Sequence, residues 1–175
     1  MLKRVLAAVL VICLCLSASA CGGSNDIGSD INKKIGRFQS YDLYGKEVTE
    51  AVFSQKDLTV LIVWGTFCDR YIDKLSAVNK LAEDLPENAQ LITLACDVRD
   101  LESAEFEKAF NIMFRSNANY PCIITTDSLT VFVDQFRDVP TAILIDRKGN
   151  VTGQTFKGED VAGYSAAAEE YLSGL

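Results

Sequence analysis

Histidine is missing from the chain altogether. That removes the commonest general base and the commonest zinc ligand together. No Ser/His/Asp arrangement, glycine-rich phosphate loop or paired-carboxylate site stands out either. Positive charge is scarce. Without Lys3 and Arg4, which lie in an N-terminal segment discussed next, the 17 basic residues fall to 15 against 24 acidic ones, and the net charge moves from −7 to −9. Such a surface repels nucleic acid and anionic lipid head groups, so neither is expected as a direct partner.

Residues 1–20 read as an export signal. Lys3 and Arg4 form a positive start, Val5 to Leu16 an apolar core, and Ala18-Ser19-Ala20 a small-residue cleavage site. The apolar run is too short for a membrane span of ~20 residues. Cys21 stands at the cut, ahead of an acidic, Gly/Ser-rich stretch from Gly22 to Asp30 that serves as a flexible spacer. This arrangement resembles a bacterial lipobox, in which the new N-terminal cysteine is acylated. It departs from the pattern at Ala18, where Leu is usual, and Ala-Ser-Ala also suits ordinary secretion with Cys21 free. The expected organisation is a signal peptide over 1–20, a lipid-anchored tether over 21–35 and one domain over 36–175. About 140 residues suffice for a single core.

Six cysteines do not make a disulfide framework. Cys13 and Cys15 leave with the signal and Cys21 carries lipid, so Cys68, Cys96 and Cys122 remain, an odd number.

Gly45 lies in a polar turn that predicts a small hairpin within "RFQSYDLYGKEVT". "LTVLIVW" is a continuous apolar, β-branched run, read as a strand buried on both faces, and "QLITLACDV" reads as another buried strand. From Cys68 the apolar residues Tyr71, Leu75, Val78, Ala82 and Leu85 keep helical spacing, and Pro86 stops it. In "ESAEFEKAFNIMF", Phe106, Ala109, Phe110 and Met113 share a helix face. Phe106, Phe110 and Phe114 read as a face packing on the sheet. "YPCIITTD" reads as a strand, "SLTVFVDQF" as a short helix or turn, and "PTAILIDRKGNVTGQTF" as two strands about Arg147-Lys148-Gly149-Asn150. A helix closes the chain over Glu159 to Leu172. Alternating strands and helices with a final hairpin predict an α/β fold with a mixed sheet. Asp97, Asp100 and Glu102 read as a solvated acidic loop, and no metal site is expected.

This order of elements resembles the thioredoxin superfamily, in particular its TlpA/ResA-type membrane-anchored thiol–disulfide oxidoreductases. The likeness rests on "YDLYGKEVT", "LIVWGTFCDRY", "YPCIITTD" and "DVPTAILIDRKGNV". It implies a thioredoxin-like fold, with an N-terminal β-hairpin and an inserted strand–helix crossover on a central mixed sheet. It also implies Cys68 as the nucleophile, a cis Pro140 facing it, and a substrate groove formed by Trp64, Phe67, Val139, Pro140 and Thr141. No cofactor is called for. Peroxiredoxins share the architecture but place Thr or Ser where this chain has Gly65, and Pro where it has Leu61, so a peroxidase is not expected.

Cys68 at a helix start is expected to favour the thiolate, with Arg70 helping and Asp69 opposing. Three positions depart from the family pattern. Tyr71 replaces the resolving cysteine that normally breaks the mixed disulfide from within, and its place on the apolar stripe marks it as core filler. Ile62 replaces a buried polar residue, and Lys74 and Ser76 replace a Glu and a Pro. Cys96 and Cys122 flank a crossover and are expected at opposite ends of the sheet, both as buried free thiols. Two functions follow: thiol–disulfide exchange through Cys68 alone with exported protein thiols or a redox partner protein, or a redox-inactive module keeping the cis-proline groove. A monomer is expected, lipid-anchored through Cys21 on the outer face of the cytoplasmic membrane or on a periplasmic membrane face, or else secreted.

Overall fold

The computed structural model describes residues 34–175, the side chain of Gln154 excepted. The signal peptide and Cys21 lie outside the described residues, as does the tether apart from Lys34 and Ile35. Those two pack onto the domain: Ile35 is buried, its N–H donates to the Gly149 carbonyl at 3.0 Å, and Lys34 bridges to Asn150.

The predicted hairpin is β1 (Gln39–Tyr41) and β2 (Glu47–Thr49), paired antiparallel. Asp42 caps its turn by accepting from the N–H groups of Tyr44 and Lys46, both at 2.9 Å, and Gly45 takes the positive φ of 77° that the turn requires. A 3-10 turn, Glu50–Gln55, leads into β3 (Leu58–Trp64), every residue of which is buried. β4 (Ala89–Ala95) and β5 (Cys122–Ile124) run parallel to β3, while on the other side β6 (Thr141–Asp146) runs antiparallel to β3 and β7 (Val151–Lys157) antiparallel to β6. The five-stranded order is β5-β4-β3-β6-β7. This is the expected mixed α/β sheet with its N-terminal hairpin. β3 is central because β-branched and leucine side chains fill both of its faces.

Alternation along β3 divides the core. Leu58, Val60, Ile62 and Trp64 face one side, beneath α2 (Leu75–Asp84), α3 (Ala104–Arg115) and α5 (Val161–Ser173). Leu61 and Val63 face the other, with Phe38, Phe53 and the α4 (Asp127–Val133) residues Leu129, Phe132 and Val133. Ser103 caps α3 and Asp160 caps α5 through side-chain oxygens that accept backbone N–H groups. Among the described residues no helix is long and apolar enough to cross a membrane.

Three expectations change. The single helix from Cys68 is two: α1 (Asp69–Ile72) and then α2. Lys74 bonds back three residues to Tyr71 at 2.9 Å rather than four, which tightens the chain and restarts the helix. Phe114 does not pack on the sheet. It is 64% exposed and stacks on Phe110 at 5.9 Å, because Ala109 and Met113 take the sheet-facing stripe. Cys122 is not at the far end from Cys96. β5 is so short that Cys122 pairs with Thr93, three residues before Cys96. Both remain free thiols, Cys122 buried and Cys96 half-buried.

Candidate functional site

The site lies where β3 runs out. After Trp64 the chain turns through Gly65 and Thr66, and the Cys68 N–H donates to the Gly65 carbonyl at 2.9 Å. The turn is clamped from β4's side: the Asp97 carboxylate accepts the Thr66 N–H at 3.0 Å and the Thr66 hydroxyl at 2.6 Å. A charge-assisted bond is worth ~1.5–3 kcal/mol, and these are partly buried. A Cβ on Gly65 would sit 2.5 Å from the Phe67 ring, so glycine leaves that ring the place it occupies. That ring is 62% exposed beside the site. Cys68 is the N-cap of α1 and is itself only 6% exposed.

Opposite stands the proline. The Val139–Pro140 peptide is cis. Val63 pairs with Thr141 at the end of the β3–β6 register, which brings Pro140, the residue before Thr141, to the end of β3. The Pro140 carbonyl accepts the Gly158 N–H at 2.8 Å, and a Cβ on Gly158 would fall 2.5 Å from that of Pro140. Arg70 of α1 reaches across to Glu159 at 3.1 Å, joining the cysteine's helix to the segment that backs the proline.

The anticipated groove residues are therefore at two depths. Phe67 is exposed and Val139 partly so, whereas Trp64, Pro140 and Thr141 are buried and form the floor. Trp64 packs on Tyr71 with ring centroids 5.0 Å apart. Tyr71 is fully buried, the core filler its spacing suggested. Its hydroxyl, the Tyr120 hydroxyl and Trp64 Nε1 are buried without a well-formed hydrogen bond. Ile62 lies in the sheet between Thr93 and Ala142, fully buried. No polar relay reaches the thiol from there.

The electrostatics reverse one expectation. The Cys68 thiol is pushed above its ordinary value, first by burial and then by the Asp97 carboxylate and Asp69. A backbone hydrogen bond with Gly65 and the Arg70 charge only partly offset them. α1 is a single turn, so its dipole contributes little. Burial and Asp97 likewise push Cys96 up to about 12, and burial pushes Cys122 to about 12. The site thus disfavours the Cys68 thiolate. Asp97 was visible in the sequence only as part of an acidic loop; its role as clamp and as the carboxylate that most opposes ionisation of Cys68 depends on a tertiary contact. Gly158, Glu159 and Tyr120 gave no sequence signal. Among the described residues no three acidic or cysteine side chains gather as a metal site.

No protein-family profile and no curated protein sequence matches the chain. Solved structures do. The thioredoxin domain of a thiol-disulfide oxidoreductase from Bacteroides vulgatus superposes with a TM-score of 0.63 at 15% identity, over 79% of this chain and 94% of that one. A thiol:disulfide interchange protein of the thioredoxin family from Chlorobium tepidum gives 0.64 at 17%, over 79% and 94%. An exposed lipoprotein thioredoxin of Streptococcus pneumoniae gives 0.58 at 17%, over 77% and 99%. With a cis-proline set against a cysteine at the end of the central strand, and neighbours of this kind over nearly their whole lengths, the chain has the thioredoxin-like fold.

Proposed function

We propose that the chain is an exported thioredoxin-like protein, held to the outer face of a membrane by lipid on Cys21, that exchanges disulfides with protein thiols through Cys68. The observation that carries this reading is the placement of Cys68 and cis Pro140 on the same edge of the sheet, with Phe67 exposed beside them. An extended client segment lies along Val139 and Phe67 and is held by backbone groups of the proline loop, in the manner of strand addition. Cys68, once deprotonated, attacks one sulfur of a client disulfide and forms a mixed disulfide while the other client sulfur leaves as thiolate. Position 71 is a tyrosine, so release needs a thiol from elsewhere. The neighbouring solved structures, which include oxidoreductases and an exposed lipoprotein, support both the chemistry and the location.

The test is capture. Incubated with a disulfide-bonded peptide at pH 8.5, the chain forms an adduct mapped to Cys68 that added thiol removes, and Cys68→Ser forms none. An adduct that survives Cys68→Ser rejects the reading.

The burial and raised pKa of Cys68 favour a second reading, a groove-binding module without turnover. In that case Cys68→Ser binds extended peptides as well as the parent, and Pro140→Ala weakens binding. Equal binding after the proline change counts against it.

A further inference from the structure

The edge that presents Cys68 carries another thiol. Cys96 directly follows β4, and its N–H donates to the Trp64 carbonyl at 2.7 Å, the bond that closes the last pair of the β3–β4 ladder, Trp64 with Ala95, and leaves Cys96 and Gly65 as the first residues past it. The Cys68 N–H donates to the Gly65 carbonyl at 2.9 Å. Each cysteine is therefore one hydrogen bond from the same short piece of chain. The next residues are joined as well, through Thr66 and the Asp97 carboxylate. Adjacent strands lie ~4.8 Å apart and a tight turn spans under ~7 Å, so the two Cα atoms are within about 12 Å. Charge on Cys68 adds to burial and Asp97 in raising the Cys96 pKa. Cys122 is different, since it is fully inside the sheet opposite Thr93.

We propose that Cys96 is the resolving thiol for Cys68, the task Tyr71 cannot perform. This rests on Cys68 acting as the nucleophile. In the first step the Cys68 thiolate breaks a client disulfide and bonds to one client sulfur; the other leaves and takes up a proton. In the second, the Cys96 thiolate attacks the Cys68 sulfur. The Cys68–client bond breaks, the second client sulfur leaves and is protonated, and a Cys68–Cys96 disulfide remains. The client disulfide has gained two electrons and the Cys68/Cys96 dithiol has lost two. The reverse sequence oxidises a client dithiol, so the client is the only co-reactant in either direction.

A disulfide needs Cα atoms within ~7 Å, so the Cys68 turn must close on Cys96. The break after α1 permits this, because α1 is one turn and α2 starts afresh at Leu75. Exposed Arg70 and half-buried Glu159 form an ion pair across that segment. Once Cys68 is in a mixed disulfide its charge no longer opposes ionisation of Cys96, while Asp97 still does. Resolution therefore accelerates with pH.

The experiment uses the full chain, reduced, freed of reductant and exposed to glutathione disulfide, with samples acid-quenched and mapped by mass. In the parent, a glutathione adduct on Cys68 rises and gives way to a peptide cross-linked through Cys68 and Cys96. In Cys96→Ser the adduct stalls and is lost at least about tenfold more slowly. Cys96→Ala, which keeps the site small and removes the hydroxyl, stalls identically. Equal adduct lifetimes in parent and variants, or a cross-link to Cys122 instead, overturn the assignment while leaving Cys68 as nucleophile. Absence of any adduct on Cys68 in every protein overturns the proposed function, and Cys96 falls with it.

Discussion

Thr66 is held by Asp97 through both its backbone N–H and its hydroxyl, across the gap between the first two strands of the parallel set. One carboxylate therefore does two opposed things. It fixes the turn that carries Cys68, and its charge disfavours the Cys68 and Cys96 thiolates.

Asp97→Asn separates the two roles. An amide oxygen still accepts from Thr66, but the charge is gone. The pH midpoint of Cys68 alkylation is expected to fall and its rate at pH 7 to rise severalfold, with thermal stability lowered by about 1 kcal/mol or less. An unchanged alkylation profile would show that Asp97 does not set the thiol's acidity.

Tyr71 is a buried ring whose hydroxyl makes no well-formed hydrogen bond and has only the Tyr120 hydroxyl beside it. Tyr71→Phe removes a desolvated polar group and leaves the packing on Trp64, so stability should stay level or rise by about 1 kcal/mol. Tyr71→Ala opens a cavity and should cost ~3–5 kcal/mol. Denaturant midpoints of the two variants check this. A strongly destabilised Tyr71→Phe would mean that the hydroxyl has a partner.

Gly158 faces Pro140 with no room for a side chain. Gly158→Ala forces the proline loop away from β7 and is expected to cost ~1–3 kcal/mol and to weaken peptide capture at the groove. Full capture by this variant, measured by peptide titration, would separate the proline loop from binding.

Stability should decline in alkali. Cys122 is 4% exposed, and burial holds its thiol at about 12, against ~8.5 for a free thiol. Between those values the unfolded chain has lost the proton and the native chain keeps it. The native state binds more protons, so stability falls as pH rises, by about 1 kcal/mol per unit from this group alone. Below ~8.5 the contribution is intact. Cys96 and Tyr71, both raised mainly by burial, act in the same direction. Urea midpoints from pH 8 to 10.5 should decline steadily; a flat profile contradicts the burial of these groups.

Much of this fold was legible in the sequence because its signals are local. Six apolar residues and one threonine over the seven positions of β3 admit little but a central strand, and Gly45 and Gly149 mark turns where positive φ is needed. The spacing of Tyr71 with Leu75 and Val78 foretold its burial. The rest depended on contacts between distant segments. Nothing in "CDRY" announces that α1 stops after one turn. Nor does it reveal that the thiol is buried, or that Asp97, almost thirty residues on, reaches back to Thr66 and adds to burial in disfavouring the thiolate. The depth of Trp64 was likewise hidden: an aromatic before a cysteine suggests an exposed groove wall, yet Phe67 holds that place while Trp64 lies beneath.

The central claim is that Cys68 is a nucleophile that works from a raised pKa. Its most direct measurement is the pH dependence of the fast reaction of the folded chain with dithiodipyridine, followed by release of the aromatic thiol. A fast phase that Cys68→Ser abolishes, with a rate that climbs through pH 9 rather than levelling off near neutrality, is the result expected. A fast phase unchanged in Cys68→Ser, or no Cys68-dependent phase at pH 9.5, contradicts it.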